Sequence, residues 1–394
     1  MTSLFYFNPG HEMAVLNGSP YYHQPEVVLK MQQDLGYLPA WLAKADDWVY
    51  VNDDTIREQA EKMRNFFPTL PKPITHCGLP HLQNVELACW GISPQVIHFF
   101  KTLNEEWSSQ IILPEWKEEY RHLTSRQASH DCLRMLIRSI PGISPLLLPQ
   151  CAKSISEIEQ MIVSNKQPLL IKSPYSSSGR GLLWLRDGLH TKERELLNGM
   201  LKKQGSASVE PIFNKKLDFS MQFLADGKGN ISFGGYSIFS TNKKGAYLGS
   251  YIHSQENCIT QISSFISMEL LDCVRTSLSS ILQQNYASTY KGCLGVDMMV
   301  YEANGQYHIH PCVEINMRYS MGFLSIELQK RHIAPQSSGF FSIDYFAKEG
   351  DAFHHHLTMQ QQHPLEIVDK KVKKGYFSLC PVSEKTKYLA GMVV

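Results

Sequence analysis

The sequence predicts an α/β protein built from more than one domain, and three observations carry that expectation. At 394 residues the chain exceeds what one simple core holds, so two or three domains are expected. Residues 1–120 alternate short apolar strands with helical stretches, the pattern of an α/β unit. Beyond a proline-rich segment at 141–149 the apolar runs follow one another as strands, and one of them closes on a tight hairpin turn.

In chain order, residues 4–7 and 48–51 read as strands, with 26–35 helical between them. Residues 111–113 close the first region as a further strand. The turn Asn8-Pro9-Gly10-His11-Glu12 follows the first strand, at the end where open α/β sheets bind ligands. His11 and Glu12 are therefore candidates to touch a substrate, although a solvated loop is the favoured reading. A helix starts near Thr124 or Ser125, both good N-caps, and carries Leu133, Leu136 and Ile137 as an apolar stripe. Arg126 lies at its start, where the helix dipole disfavours a cation. A bound anion explains it; a plain surface arginine is the alternative. Residues 157–163 form a short helix. Strands are expected at 168–172, 182–185, 208–213, 219–224 and 231–238, then a helix at 265–283. The tail from 375 to 394 reads as a pair of strands.

Bulk properties exclude several functions. Hydrophobic residues make up 43% of the chain and charged residues 19%, as in an ordinary globular protein. A net charge of +1 argues against a dedicated nucleic-acid binder. The nine cysteines are scattered, odd in number and form no C-x-x-C, which favours reduced thiols in a cytoplasmic protein. The N-terminal residues lack the basic and apolar regions of a secretory signal. No apolar run is long enough to span a membrane. His354, His355 and His356 stand among glutamines and read as exposed surface rather than a metal tract.

Residues 295–318, GVDMMVYEANGQYHIHPCVEINMR, are the most informative. Asn304-Gly305 is a strong two-residue hairpin-turn signal. The turn sets Ala303 against Gln306, which places Asp297 opposite Cys312 and diagonal to Glu314. Alternation then puts Asp297, Glu314 and Asn316 on one face, diagonal neighbours being roughly 7–8 Å apart. Two carboxylates and an amide oxygen suit Mg²⁺ or Mn²⁺ better than zinc. Arg318 shares their parity, and a guanidinium beside such a site suggests a phosphate. His308 and His310 also share that face; a packed or substrate-facing role suits them better than magnesium ligation. The plainer reading of the whole set is the solvated face of a hairpin.

Lys172 ends one strand, and Ser176-Ser177-Ser178-Gly179-Arg180-Gly181 leads into the next. Backbone N–H groups of such a flap can wrap phosphate oxygens, with Lys172 as a point charge. Neither G-x-x-x-x-G-K-[ST] nor G-x-G-x-x-G is present, so Walker and Rossmann loops are excluded. A serine-rich surface hairpin is the alternative.

Taken together, the strand ending in Lys172 with its flap to Gly181 and the later Asp297…Glu314-Ile315-Asn316-Met317-Arg318 resemble the ATP-grasp superfamily, over about residues 126–318. The resemblance implies an α+β ATP-grasp module with mainly antiparallel sheets at 121–330, preceded by a small α/β domain at 1–120. Residues 331–394 are then a C-terminal extension packing on the module. It implies ATP bound by Arg126, Lys172, Ser176, Ser177, Ser178, Gly179 and Gly181. Glu210 and Ile212 match the adenine hinge, and Asp218 matches the ribose acid. Asp297, Glu314 and Asn316 match the ligands of Mg²⁺ or Mn²⁺, and Arg318 and Lys172 match catalytic cations. The family's proline stands as Met317 here, a turn-shaping position.

The function implied is an ATP-dependent ligase that activates a carboxylate as an acyl phosphate for attack by an amine or thiol. The alternatives are a small-molecule kinase on the same scaffold and a non-catalytic ATP-binding regulatory module. Small-molecule partners are expected, without nucleic acid or membrane. Substrate choice is assigned to the first domain and to the loop at 240–245, where Lys243 and Lys244 either meet an acidic substrate or form a solvated pair.

Overall fold

The computed structural model describes residues 2–394 apart from Lys166, Ser177, Ser178, Arg180 and Asp187. The chain divides into two compact units, Met1–Lys117 with Leu248–Ser254 and Met321–Val394, and Glu118–Tyr247 with Gln255–Ser320. Among the described residues no helix is long and apolar enough to cross a membrane.

The first unit opens with strands β1 (Ser3–Tyr6), β2 (Trp48–Tyr50), β3 (Lys72–Ile74), β4 (Gln83–Cys89) and β5 (Gln110–Ile112), all parallel in the order β3-β2-β1-β4-β5. Parallel neighbours need crossovers, and helices Asp54–Phe66 and Pro94–Trp107 are among those that supply them. Each begins on a side-chain cap: Asp53 accepts from the Ile56 N–H and Ser93 from the Val96 N–H, with Pro94 preset for the first turn. Leu4, Val49, Trp41 and Phe100 are fully buried in this core.

The strand order reverses between β1 and β4. The loops leaving these strands are tied together by Asn8 Nδ2 donating to the Gly91 carbonyl at 2.7 Å and the Gly91 N–H donating to Asn8 Oδ1 at 3.1 Å. The turn expected to be a solvated loop is instead folded and buried. His11 opens the helix His11–Asn17, and His11 and Glu12 are 1% and 6% exposed. The reason lies far along the chain: Gly91 has no side chain, and a Cβ there would overlap the His11 ring.

The rest of the first unit comes from later in the chain. Strands β12 (Tyr247–Ile252), β15 (Gly339–Tyr345), β18 (Tyr376–Ser378) and β19 (Tyr388–Val393) pair antiparallel in the order β12-β15-β19-β18. Strands β16 (Glu366–Val368) and β17 (Lys371–Lys374) make a hairpin. The C-terminal residues thus group with residues 1–117. The Trp41 indole N–H donates to the Leu379 carbonyl at 2.7 Å, and Asp34 Oδ2 accepts from the N–H groups of Lys387 and Tyr388 at 2.9 and 3.0 Å. A buried indole and a buried carboxylate require such partners, and the tail provides them. His354 and His355 lie exposed on the helix Asp351–Gln362, while half-buried His356 meets the Tyr376 hydroxyl at 3.1 Å.

The second unit has two sheets. Strands β6 (Gln150–Ala152), β7 (Leu169–Lys172), β8 (Leu182–Leu185) and β9 (Ala207–Pro211) form the small one, ordered β6-β9-β7-β8. Leu169, Ile171 and Val209 face a core with Ile158 and Leu197 from the helices Ile155–Ser164 and Thr191–Gln204. The alternate residues Leu170, Lys172 and Glu210 therefore face the other way. Strands β10 (Asn214–Asp226), β11 (Ile231–Thr241), β13 (Lys291–Ala303) and β14 (Gln306–Asn316) run antiparallel in the order β14-β13-β10-β11. The helix expected at 265–283 spans Met268–Asn285, because Ser267 caps it by accepting from the Leu270 N–H.

The hairpin turn is as its residues dictate, with Asn304 and Gly305 at φ 52° and 75° and Ala303 facing Gln306. The register beyond Met299 is not. Met299 faces His310, but Asp297 faces Glu314, so residues 311–313 bulge opposite Met298. Asp297 is thus directly opposite Glu314 rather than Cys312. Pro311 has no N–H for the ladder and lies on the strand at this sheet's β14 edge, a place where bulges occur. The slip is two residues, so the shared face survives.

Candidate functional site

A cleft of about 190 Å³ opens in the second unit. One wall is the free face of the small sheet with Leu170, Lys172 and Glu210; the other carries Asp218, Phe239, Thr241, Asp297, Met299 and Glu314. The helix Arg126–Ser139 brings Arg126 to the same cleft, and the flap brings Ser176 and Gly179.

Several of the charges inside are buried and paired. Lys172 and Glu210, both 5% exposed, form an ion pair diagonally across β7 and β9. Asp218 accepts from Lys215 and, at 2.8 Å, from the Thr241 hydroxyl. Arg126, 5% exposed, donates to Glu314 Oε1 at 3.1 Å, to the Ser173 carbonyl at 3.1 Å and to the Ser176 hydroxyl at 3.2 Å. Its helix is held to β14 by the Ile315 N–H donating to Ser129 Oγ at 2.9 Å. Ser125 holds the N-cap position, but its hydroxyl donates to the His122 carbonyl at 2.7 Å instead of capping. Arg126 is therefore neither a surface arginine nor free at the helix end.

Burial, then the charge of Glu314, pushes the Asp297 carboxyl up to about 7. Two facing carboxylates of this kind are stabilised in their charged forms by a shared cation, and their hard oxygens match Mg²⁺. Asn316 completes the expected set, but its NH₂ donates to Asp297 Oδ2 and its carbonyl accepts from Arg318 Nη2, both at 2.9 Å. The amide oxygen reaches a cation only after exchanging with that guanidinium. Among the described residues no group of three or more His, Cys, Asp or Glu has metal-holding geometry. The donor set is two carboxylates and an amide.

Most expected positions meet at this cleft: Arg126, Lys172, Ser176, Gly179, Glu210, Ile212, Asp218, Asp297 and Glu314 line it. Asn316 and Arg318 join through the bonds to Asp297. Gly181 sits at the flap's root, its carbonyl accepting from the Ser173 N–H at 3.0 Å, where a Cβ would overlap the Ser173 side chain. Ser177 and Ser178 lie outside the described residues. The Ile212 N–H donates to the Pro168 carbonyl at 3.1 Å and is engaged within the sheet. Parity foretells this, since Leu170 and Glu210 are partners and Pro168 and Ile212 continue that ladder. Pro211, the partner of Leu169, and Phe213 also line the cleft.

The residues missed are mostly apolar, among them Leu182, Trp184, Phe213, Phe239, Met298 and Met299, with Lys215 as a charged exception. No spacing rule separates the apolar ones from core residues. Gly179 packs on the 242–246 turn, where a Cβ would stand 2.7 Å from the Gly245 carbonyl, and the Trp184 indole N–H donates to the Lys244 carbonyl at 3.1 Å. Lys243 and Lys244 are exposed. His310 is 2% exposed beside Phe213, and its pKa falls to about 3 through burial, then through Lys172. His308 stacks on Tyr301, with ring centres 5.5 Å apart.

Solved structures share this architecture. The ADP complex of purK, an N5-carboxyaminoimidazole ribonucleotide synthetase, is 11% identical, matches 100% of this chain and 92% of its own, and has a TM-score of 0.50. Pyruvate carboxylase from Rhizobium etli with the activator acetyl coenzyme-A is 12% identical over 100% of this chain and 35% of its own, with a TM-score of 0.51. N5-carboxyaminoimidazole synthetase from Staphylococcus aureus complexed with ADP is 14% identical over 100% of this chain and 92% of its own, with a TM-score of 0.48. No protein-family model matches the chain, and no curated protein matches it. At these identities the likeness to the purK and pyruvate carboxylase structures shows the fold alone: the chain shares their mixed α/β fold.

Proposed function

We propose that the protein is an ATP-dependent, Mg²⁺-requiring ligase that activates a small carboxylate as an acyl phosphate for attack by an amine or thiol. The observation that carries this reading is the cleft itself. It sets an apolar slot between two sheets beside buried cations, with a facing pair of carboxylates on its wall. Apolar residues around Phe213 and Met299 suit a flat base, and Pro211 and Ile212 line that slot beside them. Asp218 accepts from ribose hydroxyls in exchange for Lys215 and Thr241. Lys172 and Arg126 bind phosphate oxygens, and Ser176 and Gly179 close over them.

Asp297 and Glu314, with Asn316 once its amide turns, hold the cation. When bound, that ion neutralises charge shifting between β- and γ-phosphate oxygens. Arg318, already oriented by Asn316, stabilises the transferring phosphoryl group and then the oxyanion formed by the nucleophile. No side-chain nucleophile is required. The carboxylate's oxygen takes the phosphoryl group, ADP leaves, and the incoming amine or thiol displaces phosphate.

The test is ADP release from MgATP against a panel of amino acids, short peptides and other small carboxylates paired with amines, with products identified by mass spectrometry. An amide or thioester accompanied by ADP and phosphate is expected. Glu314→Ala should lower turnover about a hundredfold or more while the protein stays folded, since the ion's charge stabilisation is worth several kcal/mol. Wild-type turnover from folded Glu314→Ala protein removes the metal assignment.

A further inference from the structure

Arg126 does something that a phosphate-binding role does not explain. Its guanidinium joins two parts of the site. On one side are the Ser173 carbonyl and the Ser176 hydroxyl, at the flap and its root, and the Arg126 backbone N–H adds a bond to the Pro174 carbonyl at 2.9 Å. On the other side is Glu314 Oε1, at 3.1 Å from Nη2. The side chain of Arg126 is 4% exposed and that of Glu314 is 29% exposed, so the cation is the more deeply buried partner.

A carboxylate that holds a buried guanidinium attracts a second cation less, and the two cations repel at short range. Arg126 and a divalent ion therefore compete for Glu314. The helix cannot drift away to relieve this, because Ser129 fixes it to Ile315, the residue after Glu314. Only the side chain can move. A phosphate in the cleft offers the guanidinium a planar, two-pronged anionic partner, while the Ser173 carbonyl keeps it anchored.

We propose that Arg126 is an exchange cation: it neutralises Glu314 until a nucleotide phosphate takes its guanidinium, and so makes divalent-cation binding depend on nucleotide. This rests on the nucleotide reading above. By linkage, the ion and the nucleotide then strengthen each other by the same factor. Removing the charge at position 126 acts with opposite signs on the two ligands. The ion alone binds more tightly, because Asp297 and Glu314 lose their competitor. The nucleotide alone binds more weakly, because a phosphate loses its partner. A residue that merely supports the fold weakens both together.

The experiment uses the full chain, Mn²⁺ and ADP. Free Mn²⁺ is read by electron paramagnetic resonance with and without ADP, and ADP binding without metal is read by calorimetry, for wild type, Arg126→Gln and Arg126→Lys. For Arg126→Gln we expect Mn²⁺ alone to bind about fivefold to tenfold more tightly and ADP alone about tenfold more weakly, in the range of ordinary coupling factors. Arg126→Lys keeps charge without the fork and should fall between. Circular dichroism checks folding; if the Gln variant does not fold, the Lys variant decides, since one ammonium cannot hold Ser173, Ser176 and Glu314 together. Mn²⁺ binding no tighter than wild type, or parallel loss of both ligands, overturns the exchange. Wild-type protein that fails to bind ADP removes the nucleotide reading and this inference together; wild type that binds ADP with no effect of Arg126 removes this inference alone.

Discussion

Two buried polar clusters, one in each unit, are built on opposite terms. In the second unit Lys172, Glu210, Arg126 and Glu314 are charged, and each has an ionic partner. In the first unit, at the end of β1 and β4, the buried amides of Asn8 and Gln24 stand near His11, whose Nδ1 lies 3.3 Å from the buried carboxylate of Glu12. Both ring nitrogens of His11 and both amide atoms of Gln24 lack a hydrogen-bond partner among the described residues. The difference follows desolvation. A neutral amide buried without a partner costs about 1–3 kcal/mol, which a fold can absorb. An isolated buried charge costs far more, so it is paired or loses its charge. The second-unit cluster is therefore held by its ion pairs, whereas the first is held largely by shape, with glycine backbone beneath His11 and Gln24.

The largest break in this contrast should come from Lys172→Met. It leaves Glu210 buried without its cation, and breaking a buried pair costs about 3–5 kcal/mol. Urea unfolding followed by far-ultraviolet circular dichroism should show that loss, with most of it restored when Glu210→Leu is added. Equal instability of the double variant would mean that the pair itself, rather than the orphaned charge, matters.

Gly91→Ala should have a smaller effect, about 1–3 kcal/mol, because overpacking forces the His11 ring off the β4 loop. A melting curve measures it, and Gly199→Ala provides the contrast. Gly199 lies inside the helix Thr191–Gln204 with open space around it, so alanine there should stabilise by about 0.5–1 kcal/mol.

A more gradual effect concerns pH. His332 is 1% exposed with its ring edge-on to Trp41, and burial, then Arg331 and Lys371, push its pKa down to about 3. In the unfolded chain it titrates near 6.5. Between these values the unfolded state binds a proton that the folded state refuses, so stability falls as pH falls, by at most about 1.4 kcal/mol per pH unit. His332→Phe should make the acid limb shallower in denaturation curves between pH 6.5 and 4. His130 and His310, depressed to about 4 and about 3 by burial first, keep part of the slope. An acid limb as steep as wild type would show that His332 is not held neutral.

Much of the second unit was legible because its signals are local. Asn304-Gly305 sets its own turn, and alternation alone puts Asp297, Glu314 and Asn316 on one face. Lys172 at a strand end before small residues announces the flap. The unreadable parts depend on partners far away in sequence. The bulge at 311–313 depends on how β14 meets β13, and the burial of His11 depends on Gly91. Phe213, Trp184 and Met299 look like any core residues until two sheets leave a gap between them. The tail gave no local sign that Asp34 and Trp41 bind it.

By itself, the sequence determined the strand and helix periods, the turn residues and most of the charged groups that meet at the cleft, because those follow from each residue's own backbone preferences and chemistry. Only the tertiary structure decided which charges meet. Arg126 came to Glu314, Glu210 to Lys172, and Glu314 moved directly opposite Asp297. Burial of Arg126, Lys172 and Glu210 makes the two ion pairs compulsory, with whichever opposite charge the packing brings within reach, whereas Asp297 and Glu314 are like charges set opposite each other by strand register.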